Sequence, residues 1–111
     1  MNIVSSNGVS DWLIQRISAV IIAQYSLFLF LYILLTPGLT FTDWTELFNS
    51  TLMRIATLIV VLAVITHAWI GLWIVGTDYI KSIAVRLFYQ TIVLLVLASL
   101  FLWTIEIIWR L

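Results

Sequence analysis

The 111-residue sequence predicts an all-α membrane protein with three transmembrane helices forming part of a helical bundle. Three observations predict it. First, 64% of the residues are hydrophobic and only 9% are charged, against roughly 25% charged in soluble domains. Second, a chain this short cannot hide that many apolar side chains in its own core, because surface outgrows volume at this size. Third, the apolar residues fall into three long runs, and none alternates with period two as lipid-facing strands do. A soluble monomer is excluded, and lipid or a large apolar partner must cover much of the surface.

The first run, residues 12–35, is interrupted by Gln15, Arg16 and Gln24 and ends at the breaker Thr36-Pro37-Gly38. The second covers residues 52–76, and Ile55 to Ile65 is almost wholly Leu, Ile, Val and Ala. The third covers residues 83–109. Each is long enough to cross a hydrocarbon layer of roughly 30 Å at about 1.5 Å per helical residue. Between the first two, Pro37 to Ser50 carries Asp43, Trp44 and Glu46 with two Phe, which predicts an interfacial turn or amphipathic segment. Thr77 to about Ser82 forms the tighter second connection. No internal repeat or low-complexity tract is visible, so the chain is expected to form one membrane domain over residues 1–111.

Five basic and five acidic residues cancel, leaving no basic stripe for nucleic acid. Without cysteine there is no disulfide framework, thiolate zinc site, Cys-ligated iron–sulfur cluster or covalent haem attachment. Met1 to Asp11 holds no Lys or Arg and does not look like a signal peptide. With three spans, Arg16, Lys81 and Arg86 share the N-terminal side, while Arg54 and Arg110 lie on the other. That bias predicts an N-terminus in the cytoplasm. Trp12, Trp44, Trp103 and Trp109 fall near the interfaces, where amphipathic rings are favoured.

Polar groups inside the spans are the informative positions, since an ionisable group there costs about 2.5–3.5 kcal/mol on insertion scales. His67 is the only histidine and falls well inside the second span. At that depth an imidazole needs either a Ser or Thr partner on a neighbouring helix or a haem or metal. Ala63, His67 and Gly71 stack at i, i+4, i+8. That spacing leaves a slot for a flat macrocycle, or equally lets two helices approach closely. With one histidine, no cysteine and an unfavourably placed Met53, a second axial ligand to haem has to come from another chain.

Asp78-Tyr79 lies eleven residues beyond His67, about 16 Å along a helix axis. A phenol beside a carboxylate offers a donor and a proton relay suited to a quinone carbonyl, or is plain boundary chemistry. Arg16 either snorkels to the headgroups or pairs with a buried anion such as a haem propionate. Glu106 and Arg110, at i, i+4, form a helix pair at the far interface.

His67-Ala68-Trp69-Ile70-Gly71-Leu72-Trp73, continuing through Thr77-Asp78-Tyr79-Ile80-Lys81 to Arg86-Leu87, resembles a known family. It is similar to the small hydrophobic membrane anchor, the D subunit, of succinate dehydrogenase (respiratory complex II) in its proteobacterial form. Asn7-Gly8-Val9 with Asp11 and Arg16 extends the resemblance over nearly the whole chain.

The resemblance implies a haem b shared with a second, C-type anchor subunit, with His67 as one axial ligand of its iron. It implies that Tyr79 hydrogen-bonds the ubiquinone head group, that Asp78 arranges the site and its proton supply, and that Arg16 lies on the haem-propionate side. Ser10 stands where some relatives carry a histidine, so no propionate or proton role carries over there. The implied partners are that second anchor, an iron–sulfur subunit, a flavoprotein subunit and the bilayer of the bacterial inner membrane. No residue of this chain is expected to oxidise succinate. A fumarate reductase anchor fits the same pattern in reverse, and a ligand-free structural membrane subunit is the rival from a different class. A three-span transporter ranks last, for want of a polar stripe through every helix.

Overall fold

A computed structural model describes residues 8–110. It contains helices α1 (Gly8–Leu34), α2 (Phe41–Asn49), α3 (Thr51–Tyr79) and α4 (Ile83–Arg110), with no strand among the described residues. The three long helices are each long and apolar enough to cross a membrane. Asn7 and Met1 lie outside the described residues.

Two helix ends differ from the sequence expectation. Helix α1 starts at Gly8 rather than Trp12, with Asp11 in its first turn, where the partial positive charge of the helix N-terminus favours a carboxylate. Helix α3 runs through Thr77-Asp78 to Tyr79, because nothing in that stretch breaks a helix. It ends where Ile80 turns extended, its N–H still bonded to the Gly76 carbonyl at 3.0 Å. Asp78 and Tyr79 therefore occupy the last turn of α3, and only residues 80–82 link it to α4.

The first connection forms an ordered helix. Gly38 takes the left-handed conformation, φ 72°, that reverses the chain after Pro37. Thr40 and Asp43 then close a reciprocal capping box: each side chain accepts the other's backbone N–H at 3.1 Å. The amphipathic α2 turns Trp44 and Phe48 inward; their rings stand 5.1 Å apart, and Tyr32 of α1 lies 6.4 Å from Trp44. Ser50 ends α2 and caps α3, where Arg54 donates to the Phe48 carbonyl at 2.7 Å and locks the corner.

Helix α3 is the axis of the fold, packing against α1, α4 and α2. Its buried residues Met53, Thr57, Val60, Ala63, Ile70 and Gly76 are spaced mostly three or four apart, and Ile70 is only 1% exposed. Lipid is as apolar as leucine, so close packing and polar contacts, not hydrophobic burial, must hold such helices together. At Gly76 the approach is tightest. A Cβ there would meet Tyr89 Cε1 of α4 at 2.6 Å, and the ring is pinned because its hydroxyl donates to the Leu72 carbonyl at 2.9 Å. At Gly71 a Cβ would make only an ordinary 3.7 Å contact with Gln15 of α1.

The two glycines should therefore respond oppositely to a methyl group. Gly76→Ala is expected to destabilise the solubilised protein by about 1–3 kcal/mol through overpacking. Gly71→Ala should be neutral or stabilise by up to about 1 kcal/mol, by lowering unfolded-chain entropy. Thermal unfolding followed by circular dichroism checks both; equal effects would show that the α3–α4 approach is looser than this.

Candidate functional site

His67 meets α1 at one point. Its Nδ1 lies 3.0 Å from Ser18 Oγ, and Ser18 is only 4% exposed. Ser18 Oγ also donates to the Gln15 carbonyl, again at 3.0 Å. The Ser or Thr partner expected for a packing histidine is thus present, but it engages one ring nitrogen only. Nε2 has no hydrogen-bond partner among the described residues and is not enclosed. The Ala63–His67–Gly71 face is turned towards α1: Ala63 is buried, and Gly71 stands opposite Gln15. Ala63 packs closely here, whereas Gly71 leaves room for a further methyl group.

Beside that contact runs an open groove of about 560 Å³, lined by Gly8, Asp11, Trp12, Gln15, Arg16, Ala19, His67 and Ile74. It brings Arg16 and His67 to one surface although they come from different helices. The Arg16 guanidinium lies 5.3 Å from the centre of the Trp12 ring, one turn back towards the N-terminal end, where cation and indole attract. The buried Gln15 Oε1 has no hydrogen-bond partner among the described residues. The imidazole, the Gln15 amide, the Arg16 guanidinium and the Asp11 carboxylate stand beside apolar side chains on this wall, which suits a flat, mostly apolar ligand with polar groups at one edge. Among the described residues no three of His, Cys, Asp and Glu converge as a metal cage.

Asp78 and Tyr79 stand apart from this groove. Both are exposed, Tyr79 at 80%, and neither side chain has a hydrogen-bond partner among the described residues. The backbone around them is held firmly. Lys81 Nζ donates to the Asp78 carbonyl at 3.0 Å and Arg86 Nε to the Ile80 carbonyl at 3.3 Å. Two cations thereby satisfy carbonyls at the negative end of the α3 dipole. Glu106 and Arg110 form the expected exposed pair at 2.8 Å.

A family model described as succinate dehydrogenase/fumarate reductase transmembrane subunit matches residues 2–105. The chain belongs to that family. A relative from Coxiella burnetii, named succinate dehydrogenase hydrophobic membrane anchor subunit, is 39% identical over 105 residues, covering 95% of this chain and 91% of the relative. The resemblance noted around His67 to Arg86 is thus borne out, and the chain is a multi-pass membrane-anchor subunit of the succinate dehydrogenase/fumarate reductase family.

Sequence reasoning missed Ser18 and Gln15 as neighbours of His67. The available signal was the polar set Gln15, Arg16 and Ser18 within one turn of an apolar span. What the sequence lacked was the register of α1 on α3.

Proposed function

We propose that this chain anchors a succinate:ubiquinone oxidoreductase in the bacterial inner membrane, supplies His67 as one axial ligand of an intersubunit haem b, and contributes Tyr79 and Asp78 to the quinone-reduction site. The observation that carries this reading is the division of labour at His67: Nδ1 is held by Ser18, Nε2 has no hydrogen-bond partner among the described residues, and His67 lines a groove that also bears Arg16. Metal-bound histidines characteristically donate the other ring N–H to a protein acceptor. The chain's single histidine would give haem iron one ligand, so a second histidine ligand would come from another anchor subunit. Arg16 offers a cation to the carboxylates of the tetrapyrrole. When bound, haem b supplies a one-electron carrier inside the membrane.

Tyr79 and Asp78 suit the membrane boundary for a physical reason. A quinone tail prefers lipid, whereas its carbonyls need a hydrogen-bond donor and, on reduction, two protons. The Tyr79 phenol is the donor, and the Asp78 carboxylate relays protons from the aqueous side. Both side chains project from the last turn of α3, free for a neighbouring subunit to complete the pocket. Lys81 and Arg86 at the same end give an electron-delivering iron–sulfur subunit a docking edge, with the flavoprotein that oxidises succinate beyond it. Three basic residues against two support a cytoplasmic position for this end and the N-terminus.

Two variants test the reading. His67→Ala should remove or shift the b-type α-band in a dithionite-reduced minus oxidised spectrum of the purified complex; an unchanged band and midpoint potential would refute the ligand assignment. Tyr79→Phe should lower quinone reductase activity about five- to tenfold, the loss of one hydrogen bond of roughly 1–1.4 kcal/mol. Succinate oxidation with a soluble dye should persist, and equal losses in both assays would make Tyr79 a structural residue.

A further inference from the structure

We propose that Ser18 is the positioning residue of the His67 ligand: its hydroxyl, committed as a donor to the Gln15 carbonyl, accepts the His67 Nδ1–H and so holds the imidazole in the tautomer whose Nε2 lone pair faces the groove. This rests on the reading of His67 as a haem ligand and extends it to a residue on another helix.

The reasoning is a count of protons. Ser18 Oγ lies 3.0 Å from the Gln15 carbonyl and 3.0 Å from His67 Nδ1. A hydroxyl has one hydrogen, and a peptide carbonyl only accepts. If that hydrogen went to Nδ1, the contact with Gln15 would be lone pair against lone pair, and Nε2 would carry the remaining proton towards the groove. Both contacts are hydrogen bonds only when Ser18 donates to Gln15 and Nδ1–H donates to Ser18. The tautomer then follows, because a neutral imidazole carries one N–H.

Burial makes the arrangement persistent. Ser18 is 4% exposed and sits about 15 Å along α1 from Gly8, at a depth where no water substitutes for a lost partner. The acceptor comes from α1 and the ligand from α3, so docking of those helices sets the plane of the ring. An N–H that donates to an oxygen makes the imidazole a stronger electron donor at its other nitrogen. That favours ferric over ferrous iron and lowers the midpoint potential.

The experiment compares wild type, Ser18→Ala, Ser18→Thr and His67→Ala in the purified complex, reading haem content, midpoint potential by redox titration and the low-spin ferric EPR signal. Ser18→Ala should retain haem but raise the potential, with about a tenfold change in the ferric-to-ferrous ratio at fixed ambient potential, or ~59 mV for a one-electron couple. Its EPR g-values should shift as the ring plane is freed. Ser18→Thr keeps the hydroxyl and its bond to the preceding turn, and should restore both. Haem lost from Ser18→Ala but kept in Ser18→Thr would support the same role. Unchanged potential and EPR in Ser18→Ala, or equal disturbance in both Ser18 variants, would overturn the proposal while leaving His67 as the ligand. An unaltered haem signal in His67→Ala would overturn the ligand reading itself, and this proposal with it.

Discussion

Within the hydrocarbon layer no water is available to satisfy a hydrogen-bonding group, and this constraint dictates how the three long helices meet. Their polar contacts converge on α3. Ser18 of α1 meets His67, Tyr25 of α1 meets Thr57 at 2.6 Å, and Tyr89 of α4 donates to the Leu72 carbonyl. The first two share one logic. Thr57 donates its hydroxyl proton to the Met53 carbonyl of its own helix at 2.8 Å, as Ser18 does to Gln15. In each case the hydroxyl is left to accept, so the partner across the interface must donate: the phenol of Tyr25 in one pair, the Nδ1–H of His67 in the other. A serine or threonine bonded back to its own helix thereby fixes where a proton sits on the neighbouring one.

The sequence made the membrane topology plain because lipid imposes a long apolar run and the breaker Pro37-Gly38 interrupts it. The helix ends were less plain, since Val9-Ser10-Asp11 and Thr77-Asp78-Tyr79 are polar enough to resemble connections yet contain nothing that stops a helix. His67 stood out as the only ionisable group at mid-depth in its span. Its partner did not, because whether Gln15, Ser18 or Gln24 of α1 reaches it depends on how α1 slides along α3. That register is set by side-chain interlocking between two surfaces of similar composition. The short linker Ile80–Ser82 was legible in outline. The pinning of Tyr89 on Gly76 was not, for a Gly near a helix end reads equally well as a cap.

Helix packing and iron ligation look like alternatives for His67, yet an imidazole has two nitrogens and both can hold at once. Nδ1 joins α3 to α1 as a packing histidine would, and in the tautomer proposed above this contact leaves Nε2 with its lone pair free. A histidine whose two nitrogens were both satisfied inside the chain would have no free lone pair for iron. One satisfied at neither would have no fixed orientation and would pay for the missing hydrogen bonds in lipid. The observed state lies between these, and under the proposed reading Nε2 is the position left for iron.

The two proposed redox positions lie on one helix, but different neighbours hold them. The His67 turn of α3 is fixed by α1 through Ser18. The segment ending at Tyr79 is fixed by α4, through the Tyr89 ring on Gly76 and the Arg86 bond to the Ile80 carbonyl. From His67 to Tyr79 is about 18 Å of continuous helix, so the axial distance between them is set by backbone geometry. Their lateral placement, in contrast, answers to separate contacts. A change in how α4 packs therefore acts first on Tyr79, and a change at α1 acts first on the Ser18–His67 pair. On the proposed reading, in which other subunits complete both sites, this separation lets each site answer mainly to its own interface.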